Sequence, residues 1–118
     1  MEFNYKKNTP LKKRQNQCNS LLIKNPNSIP VILEKDPNSD INEIKKSKFL
    51  IQKDFTVNQF ILMIRGLMQI SESKALFFAV KGKYSISGDK SMGLIYHSYK
   101  DKEDGFLYIT YYSELIYG

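Results

Sequence analysis

Phe55-Thr56-Val57-Asn58-Gln59-Phe60-Ile61-Leu62-Met63-Ile64-Arg65-Gly66-Leu67-Met68 carries the clearest helical pattern in the chain. Thr56 and Gln59 have the spacing of a capping box, in which each side chain accepts a backbone N–H that the first helical turn leaves unpaired. Phe55 and Phe60 have the spacing of a hydrophobic staple across the same start, so the reading is a helix over Thr56 to Met68. Its apolar residues fall into two stripes at helical spacing. Val57, Ile61, Ile64 and Met68 make one, and Phe60, Met63 and Leu67 make the other beside it. One core contact rarely requires so wide a face. The second stripe either sinks into the domain's own interior or faces a partner, and periodicity leaves both open.

Toward the N-terminus, Lys48-Phe49-Leu50-Ile51 reads as a short strand with Phe49 and Ile51 on one face and Lys48 and Leu50 on the other. Ile29-Pro30-Val31-Ile32-Leu33 is a second strand, closed by the polar stretch Glu34 to Asp40 with Pro37. Thr9 as cap and Pro10 at the first helical position open a basic helix over residues 10–24, and Pro26 ends it. Toward the C-terminus, Leu76-Phe77-Phe78-Ala79-Val80 reads as a buried central strand, and Lys81 to Lys90 as a loop. Ser91 caps a short helix carrying Met92, Ile95, Tyr96 and Tyr99, after which Asp104-Gly105 turns the chain into a strand from Phe106 to Tyr112. The order of elements predicts an α+β domain, a four-stranded mixed sheet around one main helix.

With 118 residues, 42% of them hydrophobic and 13% aromatic, the chain can build one core. Apolar runs such as Phe60 to Ile64 fall far short of the ~20 residues of a membrane-spanning helix, and the lysine-bearing N-terminus has no signal-like stretch. The chain reads as soluble and intracellular. Its net charge of +6 is uneven: residues 1–28 hold six Lys/Arg against one Glu, whereas the remainder nearly cancels. That basic segment either meets an anionic surface or is a solvated helix face.

Enzyme chemistry finds few candidates. His97 is the only histidine and Cys18 the only cysteine, which leaves no zinc site of ordinary composition and no internal disulfide. Cys18, at helical spacing from Leu11 and Leu22, reads as a packed thiol, and His97 as a surface residue. Gly82-Lys83 and Gly88-Asp89-Lys90-Ser91 lack the spacing of a phosphate loop. Glu103 and Asp104 lie in a turn, where solvation accounts for them. The residues therefore predict no catalytic group, metal or cofactor.

Taken in order, Ile29 to Lys35, Lys48 to Ile51, Asp54 to Phe60, Ala75 to Phe78 and Glu103 to Ile109 resemble the GABARAP-type autophagy ubiquitin-like modifiers, the autophagy-related protein 8 family. The resemblance runs from Phe3 to Gly118: Phe3-x-Tyr5-Lys6, Pro10 and Lys13-Arg14 are similar to the family's two-helix extension, and Tyr117-Gly118 to its aromatic-glycine ending. It implies a ubiquitin-like β-grasp domain over 29–118 preceded by a basic helical extension over 1–28. It also implies conjugation of Gly118 to phosphatidylethanolamine, by activating and conjugating enzymes and with a processing or delipidating cysteine protease. A terminal glycine, lacking Cβ, suits a tail that threads a narrow channel.

The same resemblance implies docking of receptor and adaptor peptides with an aromatic-x-x-aliphatic motif along the edge Lys48 to Ile51. An aromatic pocket would comprise Leu21, Pro30, Ile32, Lys48, Leu50 and Phe106. An aliphatic pocket would comprise Phe49, Ile51, Phe55, Phe60, Met63, Ile64 and Leu67, with Lys46 supplying positive charge beside Lys48. Ser28 and Leu67 stand where the family often has arginine, and Gln52 where proline is common, so contacts with acidic flanks should weaken and the aliphatic pocket be greasier. The implied protein is a monomer in the cytoplasm, on autophagosomal membrane when lipidated. Conjugation to another protein is a rival reading, and a basic nucleic-acid-binding domain, favoured by the sequence pI of about 9.3, is another.

Overall fold

The computed structural model describes residues 2–81 and 84–115. Two helices, α1 (Asn4–Asn8) and α2 (Leu11–Lys24), precede β1 (Ser28–Lys35), β2 (Lys48–Gln52), α3 (Val57–Met68), β3 (Lys74–Val80), β4 (Tyr84–Ser85), α4 (Met92–Tyr99) and β5 (Leu107–Leu115). The strands form one mixed sheet in the order β2-β1-β5-β3-β4. β1 runs parallel to β5 and antiparallel to β2, and β3 is antiparallel to β5 and β4.

Two cores hold this arrangement. On one face, Val57, Phe60 and Ile64 of α3 pack with Val31, Leu33, Phe49, Phe78, Leu107 and Ile109. Phe60 meets Phe49 and Phe78 edge-on, at 5.9 and 5.1 Å between centroids, a favoured aromatic geometry. On the other face, Phe3, Cys18, Ile32, Phe106 and Tyr108 form a smaller cluster beneath the two N-terminal helices. β1 is thus covered on both faces, which is why its sequence is a continuous apolar run. β2 is covered on one face and alternates.

The main helix starts as the sequence requires: Thr56 Oγ1 accepts from Gln59 N, and Gln59 Oε1 accepts from Thr56 N. The carbonyls of Lys90 and Gly88 accept the N–H groups of Val57 and Asn58, so the first turn is well satisfied. Ser91 caps α4.

Four details differ from the sequence reading. The sheet has five strands, because Tyr84 and Ser85 pair with Val80 and Ala79 inside the expected loop. Two exposed residues cannot carry a period-2 hydrophobic signal. β5 continues to Leu115, since Lys74 and Ala75 extend β3 opposite Leu115 and Glu114. Thr9 does not cap α2: it closes α1, Pro10 occupies the cap position without a side-chain bond, and Arg14 takes up the Thr9 carbonyl at 2.6 Å. The second stripe of α3 splits, for Phe60 is 0% exposed in the core, Met63 packs at the core margin and Leu67 is 61% exposed.

The extension is fastened to the sheet by ionic contacts. Arg14 Nε donates to Asp104 Oδ2 at 2.9 Å, and Tyr108 Oη donates to the same oxygen at 2.5 Å. Burial, then that bond, pushes the Tyr108 phenol far above its ordinary range. Lys6 pairs with Asp101, and the N–H groups of Asn4 and Tyr5 donate to the Glu34 carboxylate. Cys18 is fully buried, as expected of a packed thiol, and desolvation raises its pKa to about 11.

Candidate peptide-binding edge

β2 is an outermost strand, paired only with β1 among the described residues. The register sets Ile29 opposite Ile51, Pro30 opposite Leu50 and Val31 opposite Phe49. Leu33 N–H donates to Ser47 O, and Lys53 N–H donates to Asn27 O. Antiparallel ladders alternate between bonded and non-bonded pairs, so the bonded positions on both strands are the odd-numbered ones. Lys48 and Leu50 therefore direct their backbone groups away from β1, toward the free edge. The same parity explains Pro30 inside a sheet: its missing N–H faces away from β2, and β5 pairing begins only at Val31.

The side chains implied as two pockets sort onto the two faces of this edge. On the face of the N-terminal helices stand Leu21, Pro30, Ile32, Lys48, Leu50 and Phe106. Leu50 is 37% exposed, whereas Ile32 and Phe106 are fully buried and act as floor. Leu21 and Lys48 are half-buried at the rim. On the α3 face, Phe49, Ile51, Phe60 and Ile64 are buried, and Phe55 and Met63 pack at the core margin. Leu67 is exposed one turn beyond Met63. Lys46 places its ammonium 5.1 Å from the Phe49 ring centroid, on the aliphatic side. Gly118 lies outside the described residues.

Two residues that sequence reasoning missed join the aromatic side. Tyr5 of α1 sets its ring edge-on to Phe106 at 5.3 Å. Lys48 Nζ lies 4.9 Å from the Tyr5 ring centroid and donates to Gln17 Oε1 at 2.9 Å, and Tyr5 Oη donates to the same oxygen. Burial, and then the charge of Lys13, pulls the Lys48 amine below its ordinary range. Gln17 was findable, being one helical turn before Leu21 on the same face of α2. Tyr5 was not, because it reaches the pocket through a separate helix.

A family model described as "Autophagy protein Atg8 ubiquitin like" matches residues 13–118. The chain belongs to the Atg8 family. It is 39% identical over 118 residues to autophagy-related protein 8 of Vanderwaltozyma polyspora, covering 100% of this chain and 98% of that one. With autophagy-related protein 8a of Arabidopsis thaliana it shares 39% over 114 residues, 97% of this chain and 92% of the relative. The crystal structure of Trypanosoma brucei ATG8 superposes with a TM-score of 0.91 at 35% identity, and both chains are covered completely. The β-grasp expectation holds, with the helical extension of the Atg8 fold present as α1 and α2. Among the described residues no helix is long and apolar enough to cross a membrane, and no cluster of His, Cys, Asp or Glu could hold a metal ion.

Proposed function

We propose that this Atg8-family chain is a non-enzymatic modifier that tethers receptor and adaptor peptides to autophagosomal membranes. The observation that carries the reading is the outer edge of β2, where Lys48 and Leu50 offer backbone groups that are unpaired among the described residues, between two apolar faces. An extended peptide adds there as a further strand, gaining affinity from main-chain bonds and specificity from its alternate side chains. An aromatic ligand residue enters between Leu21, Leu50 and the Lys48 stem above Phe106. An aliphatic one rests on Phe55, Met63 and Leu67, with Phe49, Ile51, Phe60 and Ile64 as the packed wall behind them. Residues 1–28 serve as the basic extension and 29–118 as the modifier proper.

Gly118 is the attachment site for phosphatidylethanolamine in this reading, loaded by activating and conjugating enzymes and released by a cysteine protease. The unconjugated chain is a cytoplasmic monomer. Backbone NMR titration with an aromatic-x-x-leucine peptide tests docking: shifts centred on 48–51 and 63–67 are expected, and saturating peptide that leaves them unmoved sinks it. Reconstituted conjugation tests attachment. A Gly118-deleted chain that still gains the lipid mass refutes Gly118 as the site, and transfer to another protein in place of lipid favours the rival modifier reading.

A further inference from the structure

We propose that the last residues of β5, 113–115, are a releasable end whose catch is Ser39, so that Ser39 sets how readily the C-terminal tail is drawn out to deliver Gly118. The inference rests on the reading that Gly118 is the attachment site. β1 ends at Lys35, opposite Tyr111, and leaves that side of β5 without a strand partner beyond this point. The loop that follows fills in: Asp36 N–H donates to Tyr111 O at 2.9 Å, and Ser113 N–H donates to Ser39 Oγ at 3.2 Å. Among the described residues, the second is the one hydrogen bond that residues 112–115 make on this side. The loop is built to present the hydroxyl. Ser39 N–H donates to Asp36 O, Asn38 N–H donates to Asp36 Oδ1, and Lys35 Nζ donates to Ser39 O at 2.7 Å.

The strand end held in this way is weak. Beyond the stack of Tyr112 on Phe77, only Ser113, Glu114 and Leu115 remain, opposite Leu76, Ala75 and Lys74 at the start of β3. Ser113 Oγ is buried without a hydrogen-bond partner among the described residues, and an orphaned hydroxyl disfavours the closed arrangement. With a side-chain oxygen in place of a strand on one side and an unpaired hydroxyl buried beside it, the end opens locally at low free energy. Opening lengthens the tail. Gly118 is three residues beyond Leu115, a reach of at most about 11 Å, and releasing 113–115 extends it to about 22 Å. An enzyme that brings the Gly118 carboxylate to a recessed centre draws on that added length, and the bond to Ser39 opposes the withdrawal.

The test uses the full chain with Ser39→Ala, Ser39→Thr and Ser113→Ala. Amide hydrogen exchange followed by NMR should show Ser113 and Glu114 exchanging about fivefold faster in Ser39→Ala, because the acceptor is gone, with Tyr108 to Thr110 unchanged. Ser39→Thr keeps the hydroxyl and should restore the wild-type rate. Ser113→Ala removes the orphaned group and should slow exchange at Glu114 about threefold. Delivery should follow the same order. With ATP and the activating enzyme, kcat/KM for thioester formation at Gly118 should rise in Ser39→Ala, match wild type in Ser39→Thr and fall in Ser113→Ala, each by about the factor seen in exchange. Residues that merely supported folding would lower it in both alanine variants. Should Ser39→Ala fail to fold by circular dichroism, Ser113→Ala decides through its opposite sign. Exchange that ignores residues 39 and 113, or thioester rates within twofold of one another while exchange changes, overturns the proposal. A wild-type chain that forms no thioester refutes the reading of Gly118 and the catch with it; a thioester that forms without dependence on residues 39 and 113 defeats the catch alone.

Discussion

Phe49 and Leu50 are adjacent, yet the pleat sends one ring into the core and leaves the other side chain 37% exposed on the free edge. Their replacement should therefore fail in different ways. Leu50→Ala should keep its melting temperature within a degree or two, while calorimetry shows roughly a thirtyfold loss of affinity for the peptide, about 2 kcal/mol. Phe60→Ala, which empties the core beside Phe49, should instead show first as lost stability, about 3–5 kcal/mol in denaturant titration, because a fully buried ring leaves a cavity. The alternation that separates Phe49 from Leu50 was legible in the sequence. The burial of Phe60 was not, since a helical period shows which residues share a face but not how deeply that face sinks. Cys18 and Gly105 constrain each other by a similar tertiary accident. A Cβ at Gly105 would lie 2.9 Å from Cys18 Sγ, and Gly105 has φ of 87°, which only glycine adopts at little cost. With its pKa raised to about 11, the Cys18 thiol should resist a thiol-specific reagent at pH 8 until the protein is unfolded.

Elements whose start signals are local were read best. The Thr56/Gln59 box and the Ser91 cap both form hydrogen bonds at the expected atoms, because a cap depends on a few consecutive residues. Thr56→Ala should therefore destabilise the protein by about 1 kcal/mol in denaturant titration, without altering the peptide-binding edge. Thr9-Pro10 carried the same signal and misled, because a preceding helix, α1, already ends at Thr9 and Arg14 takes its carbonyl. Five residues are too few to show a helical period, so α1 entered the reading only through family resemblance. The two-residue β4 likewise forms because β3 offers it an unpaired side. The edge position of β2 also depends on sheet order, yet it could be anticipated from the order of strands and helices shared with the family. Of its neighbours, Gln17 shares a helical face with Leu21, whereas Tyr5 is placed by the docking of a separate helix, which no local pattern encodes.

Tyr5 and Gln17 reach the binding edge only while α1 and α2 are docked, so the shape of that edge depends on how firmly the extension is held. The excess positive charge of residues 1–28 reads either as a surface for anionic partners or as a solvated helix face, but Lys6 and Arg14 pair with Asp101 and Asp104. Arg14 and Asp104 are both buried, so Arg14→Leu would strand a carboxylate and should cost about 3–5 kcal/mol. Asp101 gives this docking a pH dependence. Burial pushes its carboxyl up, but the Lys6 ammonium and the N–H groups of Asp104 and Glu103 outweigh that and hold it below the ordinary value of 3.8. A depressed folded-state pKa means that the unfolded chain binds the proton first as acid is added, so the contribution is complete above about 3.8 and disappears as pH falls through the folded-state value. Asp101→Asn lacks the ionisable group. Its denaturation midpoint should lie below that of wild type at pH 7, and the gap should narrow between pH 4 and pH 2. A gap that persists unchanged at pH 2 would mean that Asp101 supports the extension through its hydrogen-bonding shape and not through its charge.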